Sequence, residues 1–392
     1  MRRWSASVAV VAIVAGAGAL AAGSLGDGPA ALCGHRLCRR DRLPAPITLT
    51  TTHAAFLITR DGWIRRTRSP RSAGPPGAAV FPATGSWYAV SRGHLIIGRG
   101  HRTLWRARAA DWSTRHLGLV DVAGRRFAFQ YAHRLYMGPF DGRVRAVARN
   151  EMPLGWTGGR LYTNSYPRRA LLLRGPAGRL LRVLSPLPFH SDPVVADGSV
   201  YLILRGDLMR ARGARAQRLH SLRGLGMSVA SWLQPIGRML ELSDNRRLTI
   251  LRPDGSVFAS TLLPRPDGET GSLSGSPAAN ASASAVAFTA AYGASTGPNA
   301  AAWAQGTETT YVLRAGARRA SAVHTEDVNF RACERGAGVA WHGNWLLYSN
   351  SEGNVVLIDV AGSHRAIDLT AAAAALTGPR TDPGAYWSGH TA

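Results

Sequence analysis

The chain has 392 residues, a formal net charge of +24 and no lysine, so all 47 of its basic side chains are arginine. Such charge is the usual footprint of a nucleic-acid binder. Here the arginines are scattered through nearly the whole chain beside abundant Ala, Gly and Pro, which reads as the codon supply of a high-GC, actinobacterial genome, and no run alternates basic and aromatic residues as a nucleic-acid groove would.

The N-terminus begins Met1-Arg2-Arg3-Trp4 and continues as an uncharged run from Ser5 to Leu25. A basic start, an apolar middle and small residues at Ala19-Leu20-Ala21 form an export signal, with cleavage expected after Ala21. The alternative is an uncleaved anchor, because about 20 weakly apolar residues just span a bilayer. Residues 1–25 are therefore a signal peptide or membrane anchor, with membrane attachment through residues 5–25 open, and 26–46 a linker. Export argues against a nucleic-acid partner. Leu32 directly before Cys33 is wrong for a lipoprotein box. Export also permits disulfides. Cys33, Cys38 and Cys333 are the candidates, and either a small Cys33–Cys38 loop or a bridge from Cys333 to one of the others fits. The Cys33-to-Cys38 spacing is not a zinc signature, and no metal is expected.

From Ile47 onward the chain repeats. A partial unit, Ile47 to Arg66, contains Ala55-Phe56-Leu57-Ile58, the turn Asp61-Gly62, and Trp63-Ile64. Units then start near Phe81, Leu117, Pro153, Pro193, Ser231, Ala283 and Val339. Each is a series of short β-branched or aromatic runs punctuated by Gly, Asn and Ser, the residues of tight hairpins. The clearest is the last: Trp345-Leu346-Leu347-Tyr348, a turn at Ser351-Glu352-Gly353-Asn354, Val355 to Val360, and Ala366-Ile367-Asp368-Leu369. A fourth strand is expected just before each leading glycine, as at Leu117-Gly118-Leu119-Val120. Gly85, Gly124, Gly159, Gly198 and Gly237 follow one another at 39, 35, 39 and 39 residues. That interval is the period of a four-stranded propeller blade. After Gly237 it stretches, and the stretch from Gly293 to Glu308 reads as an inserted surface loop. Leu369 to Leu376, in an alanine run, is the best helix, and residues 371–392 read as a loose tail.

These features predict an all-β chain: a seven-bladed β-propeller over residues 47–370, with six or eight blades as alternatives. The leading fragment is expected to pair into the last blade to close the ring. Trp87, Trp156, Trp232, Trp341 and Trp345, near unit starts, are expected to pack between blades.

The run of Gly, apolar strand, Asp-Gly-type turn and apolar strand, seen in Leu357-Ile358-Asp359-Val360 followed by Ala366-Ile367-Asp368-Leu369, resembles the TolB-like and WD40-like propeller repeats of exported bacterial proteins. The resemblance covers roughly residues 47–370. It implies architecture and an envelope setting, while propellers of this kind host both binding proteins and enzymes.

Function would sit in the loops on one face. The interblade loops contain Asp111, Glu151, His190-Ser191-Asp192, Asp267-Gly268-Glu269 and Glu326-Asp327, and Asp244 and Arg247 lie in a hairpin that can share their face. Acids are scarce in this chain, so their recurrence in loops suggests an acid-ringed mouth for a cation or a polar, cationic or sugar-like ligand. Asp111, Glu151, His190, Asp192, Asp244, Arg247, Glu326 and Asp327 are the candidate ligand-binding residues. No catalytic residue and no cofactor is assigned. His190, Ser191 and Asp192 are adjacent and cannot form a triad, and no strand–Gly-x-Ser-x-Gly–helix elbow is present. Glu241, one of the few acids inside an apolar strand, is open to a role as a channel carboxylate, with an outward face position as its ordinary reading. The leading expectation is an exported non-enzymatic binding or scaffolding module whose partner is an envelope protein or an anionic or polar envelope component. The alternative is a carbohydrate- or small-molecule-active hydrolase or lyase using channel carboxylates.

Overall fold

The computed structural model describes residues 32–37, 42–51, 54–67, 79–81, 86–91, 94–99, 102–108, 119–120, 126–139, 143–165, 168, 170–186, 193–212, 215–228, 232–244, 246–263, 270–273, 275–295, 303–329, 337–350, 352–361, 366–378 and 384–387. Among them are eight sheets of four or more strands. We number these in chain order. Sheet 1 holds Ile47–Thr50, Ala55–Ile58 and Ile64–Thr67, joined by Gly384–Trp387. Sheet 2 spans Ala79–Phe81 to Arg102–Arg108, sheet 3 Leu119–Val120 to Arg145–Arg149, and sheet 4 Glu151–Thr157 to Leu180–Pro186. Sheet 5 spans Val194–Ala196 to Arg215–Ser221 and sheet 6 Trp232–Ile236 to Val257–Leu262. Sheet 7 is built on Ala285–Ser295, Trp303–Arg314 and Ser321–Val328, and sheet 8 on Ala337–His342 to Ala366–Asp368.

The hairpins follow from their turn residues. Between Val194–Ala196 and Ser199–Leu204 the chain turns on Asp197 and Gly198, with φ of 44° and 71°. Two successive positive φ values make a type I′ turn, whose twist matches the strands it joins. Gly158 and Gly159 repeat this in sheet 4. Of the glycines that set the regular interval, Gly159, Gly198 and Gly237 lie in the turn between the first and second strands of their sheets.

Middle strands of sheets 4, 5 and 6 are buried on both faces. In Val200-Tyr201-Leu202-Ile203, Val200 and Leu202 pack towards sheet 4 while Tyr201 and Ile203 pack towards sheet 6. The core is accordingly divided into seven clusters. Each lies between two sheets that follow one another, from sheets 2 and 3 through sheets 7 and 8, and the last joins sheet 8 to sheet 1. A sheet covered on both faces by its sequence neighbours, with the last packed on the first, is the radial stacking that buries blades unable to stand alone. The fold is a β-propeller.

Several expectations change. The leading fragment does not join the last blade. Ile47–Thr50 pairs antiparallel with Gly384–Trp387, so the fragment builds sheet 1 and the stretch expected as a loose tail supplies its first strand. Among the described residues the sheets of four or more strands number eight, which matches the eight-bladed alternative. The stretch from Gly293 to Glu308 is not simply a loop either: strands run to Ser295 and restart at Trp303, with Gly293 opposite Gly306. Small and β-branched residues on both sides let the ladder continue past the ordinary blade length. The linker is partly structured as well. Leu32–Cys33 and Arg36–Leu37 form a small hairpin, and Leu37, Leu43 and Ala45 enter the core between sheets 8 and 1.

The alanine-run helix forms over Leu369–Thr377, where Asp368 accepts from the Ala371 amide at 2.9 Å and Gly378 ends it. The tryptophans divide. Trp87 and Trp156 are buried, whereas Trp232, expected between blades, is 52% exposed, because it begins its strand at the sheet's end. The export segment lies outside the described residues. No described helix is long and apolar enough to cross a membrane.

Candidate functional site

Asp111, His190 and Asp192 lie outside the described residues, as does Asp267-Gly268-Glu269. Glu151 is placed differently from expectation. It is the first residue of the first strand of sheet 4, not an open loop acid, and it is buried. Arg174, on the third strand of that sheet, donates from Nε to Oε2 and from Nη2 to Oε1, both at 2.7 Å, and Thr163 Oγ1 donates to Oε2 at 2.9 Å. Arg174 Nη1 also donates to the Gly178 carbonyl. This bidentate pair consumes both carboxylate oxygens.

Asp244 and Arg247 do share one turn. Asp244 Oδ1 accepts from the Arg246 and Arg247 amides at 2.8 Å, and Oδ2 accepts from the Ser228 amide at 2.9 Å. Partial burial alone would raise the Asp244 carboxyl. The three amides and the Arg247 charge outweigh it and hold the group below its usual range. Arg247 Nη1 donates to Ser260 Oγ at 3.2 Å.

Glu326 and Asp327 stand on the last strand of sheet 7, with Asp327 exposed. Glu326 belongs to a larger polar group between sheets 7 and 8. It lies directly opposite Glu308, and Thr310 lies opposite His324. From sheet 8, the Tyr348 hydroxyl donates to Glu308 Oε2 at 3.0 Å. Burial, then the Glu326 and Glu308 charges, push that hydroxyl far above the ordinary tyrosine value, so it stays protonated. The His324 ring meets the Tyr348 ring edge-on at 5.7 Å, and its Nε2 lies 3.8 Å from Glu326 Oε2. Among the described residues, Thr310 Oγ1, His324 Nε2, Glu326 Oε1 and Asn350 Nδ2 are buried without a protein hydrogen-bond partner. Strand alternation puts Asn350 on the same face as Tyr348 and Thr310 on the same face as Glu308. Buried groups of this kind are met by water or by a small polar ligand. This buried polar cluster is the candidate site. Of its members, the sequence marked only Glu326 as a ligand residue. The signal for Glu308 was the acid in Thr307-Glu308-Thr309-Thr310, an odd residue for a strand interior.

Glu241 corrects the expectation of an outward face. It is 1% exposed, accepts from Ser243 Oγ at 2.7 Å, and is bonded by the Gln234 side-chain amide across the strand pair. Burial pushes its carboxyl up to about 7 against the lowering effect of those two bonds. Its face is set by register, since Ile250 opposite it packs into the core between sheets 6 and 7. Cys33 is disulfide-bonded, and the other two cysteines lie outside the described residues. No group of three or more His, Cys, Asp or Glu among the described residues could hold a metal ion.

Several solved structures show a weak likeness to the chain. Hsv2 from Kluyveromyces lactis aligns with a TM-score of 0.46 at 8% identity, covering 74% of this chain and 95% of that one. The WD40 domain of SCAP from fission yeast gives 0.43 at 10%, covering 80% and 87%. BamB from Moraxella catarrhalis gives 0.37 at 11%, covering 70% and 93%. No protein-family model matches the chain. No curated protein matches it.

Proposed function

We propose that this chain is an exported, non-enzymatic propeller that acts as a binding or scaffolding module in the cell envelope. One observation carries the choice over a channel-acting hydrolase or lyase. The first strands of successive sheets meet one another, from Leu119–Val120 through Glu151–Thr157 and Val194–Ala196 to Trp232–Ile236, and so line the centre. Among the described first strands the one acid is Glu151, and it is locked to Arg174. A hydrolase of the two-carboxylate type needs a pair free to meet substrate. The export signal at residues 1–25 supports the envelope setting, and the propeller supports binding, since its loops and edges are carried on a rigid frame.

The test is fractionation of cells producing the full chain with its N-terminal segment intact, followed with an antibody. Recovery in envelope or secreted fractions, with a co-purifying envelope component, is the expected result. A pool confined to the cytoplasm overturns the reading.

A further inference from the structure

Because first strands gather at the centre, the fourth strand of each sheet forms its outer edge. Read around the molecule, these edges are not alike. Over sheets 1 to 5 they carry ten arginines and no acid. Over sheets 6 to 8 they carry no arginine and three acids. Arg65, Arg102, Arg145 and Arg182, on the edges of sheets 1 to 4, are exposed and have no carboxylate or carbonyl partner among the described residues, whereas Arg218 on sheet 5 is paired with Asp207 at 3.0 Å.

Two ordinary causes fail to give this pattern. Codon supply acts without regard to place in the fold, and arginine, though sparser after Arg252, does occur in sheets 6 and 7 off their outer strands, at Arg247 and Arg314. Charge that blocks edge-to-edge strand pairing would be needed on every exposed edge. Yet the edge of sheet 6 is uncharged and exposes Val257 at 40% and Leu262 at 60%. An arc of one sign on one side of the rim is instead the form of an electrostatic docking surface. The arc is convex. A planar bilayer would meet only one or two neighbouring edges at a time, whereas a flexible chain can follow all five. Arginine forks suit the phosphate or carboxylate groups of such a chain.

We propose that the outer edges of sheets 1 to 5 dock a flexible polyanion, a chain bearing phosphate or carboxylate groups at intervals. This rests on the reading of the protein as an envelope binding module and names the chemistry of its partner.

The test uses the full chain with long-chain inorganic polyphosphate as probe, titrated over a range of salt, and phosphatidylglycerol vesicles as the rival. One variant replaces Arg65, Arg102, Arg145 and Arg182 with Gln. A second replaces Arg160, Arg205, Arg314 and Arg318, exposed arginines away from the outer strands, with Gln, for the same loss of charge. The full chain should bind polyphosphate. The edge variant should lose about tenfold or more at low salt, with the slope of log K against log salt smaller by about 3, at roughly 0.7 per lost phosphate contact. The second variant should bind nearly as the parent does. Equal loss in both variants, no loss in the edge variant, or binding to vesicles but not to polyphosphate overturns the proposal. Circular dichroism checks folding, and R102Q/R182Q carries the test if the fourfold variant does not fold. Envelope recovery without polyphosphate binding sinks this inference alone. Polyphosphate binding by a protein confined to the cytoplasm sinks the envelope reading alone.

Discussion

Glu151, Glu241 and Glu308 are all but inaccessible, and the fold meets each differently. Glu151 has a bidentate arginine, Glu241 has neutral donors, and Glu308 has a tyrosine hydroxyl. These differences give two residue-scale predictions. Glu241 has a folded pKa of about 7, above its ordinary 4.5. The folded state therefore holds the proton more tightly, and stability is full below about 4.5 and falls as pH rises to about 7. Glu241→Gln removes that dependence. Its advantage over the parent at pH 8 relative to pH 4 should be on the order of 3 kcal/mol, from 1.36 kcal/mol per pKa unit, read from urea unfolding at both pH values. A parent and variant that track each other across pH would refute the assignment. At the ion pair, Arg174→Met leaves a buried carboxylate and should cost about 3–5 kcal/mol, while the double change E151L/R174M should recover most of it. Urea midpoints of the three proteins decide the matter, and a double variant as weak as the single one counts against it.

At the scale of elements, turns and close approaches set what each strand can carry. A Cβ built on Gly98 would lie 2.1 Å from the Trp87 ring, which is buried beside it across the strand pair. Gly98→Ala should therefore cost about 1–3 kcal/mol by overpacking, and a thermal midpoint equal to the parent's would show that the ring is free to move. The helix Leu369–Thr377 is held at its start by the Asp368 carboxylate. Asp368→Ala should cost about 1 kcal/mol, with Asp368→Ser close to neutral, as read by thermal unfolding. Hairpin turns were legible from sequence because Gly and Asn at fixed places leave few alternatives. The extended strands of sheet 7 were not, because an Ala-, Gly- and Thr-rich stretch has the composition of a loop and becomes strand only when its partner lies alongside.

At the scale of the whole molecule, the two ends of the chain are joined by a four-residue ladder. Gly384–Trp387 completes the sheet that begins at Ile47, and sheet 8 packs on that sheet through Leu347, Leu357 and Ile367. Deleting residues 384–392 should lower stability by about 1 kcal/mol for each ladder hydrogen bond lost. It should also make Ala55–Ile58 the most rapidly exchanging of the central strands in amide hydrogen exchange, because its sheet then lacks its first strand. Unchanged exchange there would mean that the ends are held by the core alone.

The sequence by itself determined the all-β propeller, its period, its turn residues and the alanine helix, since these depend on local backbone preference and on apolar runs buried by near neighbours in the chain. Only the tertiary structure decided the pairing of Ile47–Thr50 with Gly384–Trp387 and the fate of Glu151, Glu241 and Glu326. Each of those depends on which distant strand lies opposite and which face it buries. The arginines show the same division. Along the chain they are denser before Arg252 than after it, and radial placement shows which of them reach the rim, because a residue's position within its repeat fixes its distance from the centre while its repeat number fixes its direction.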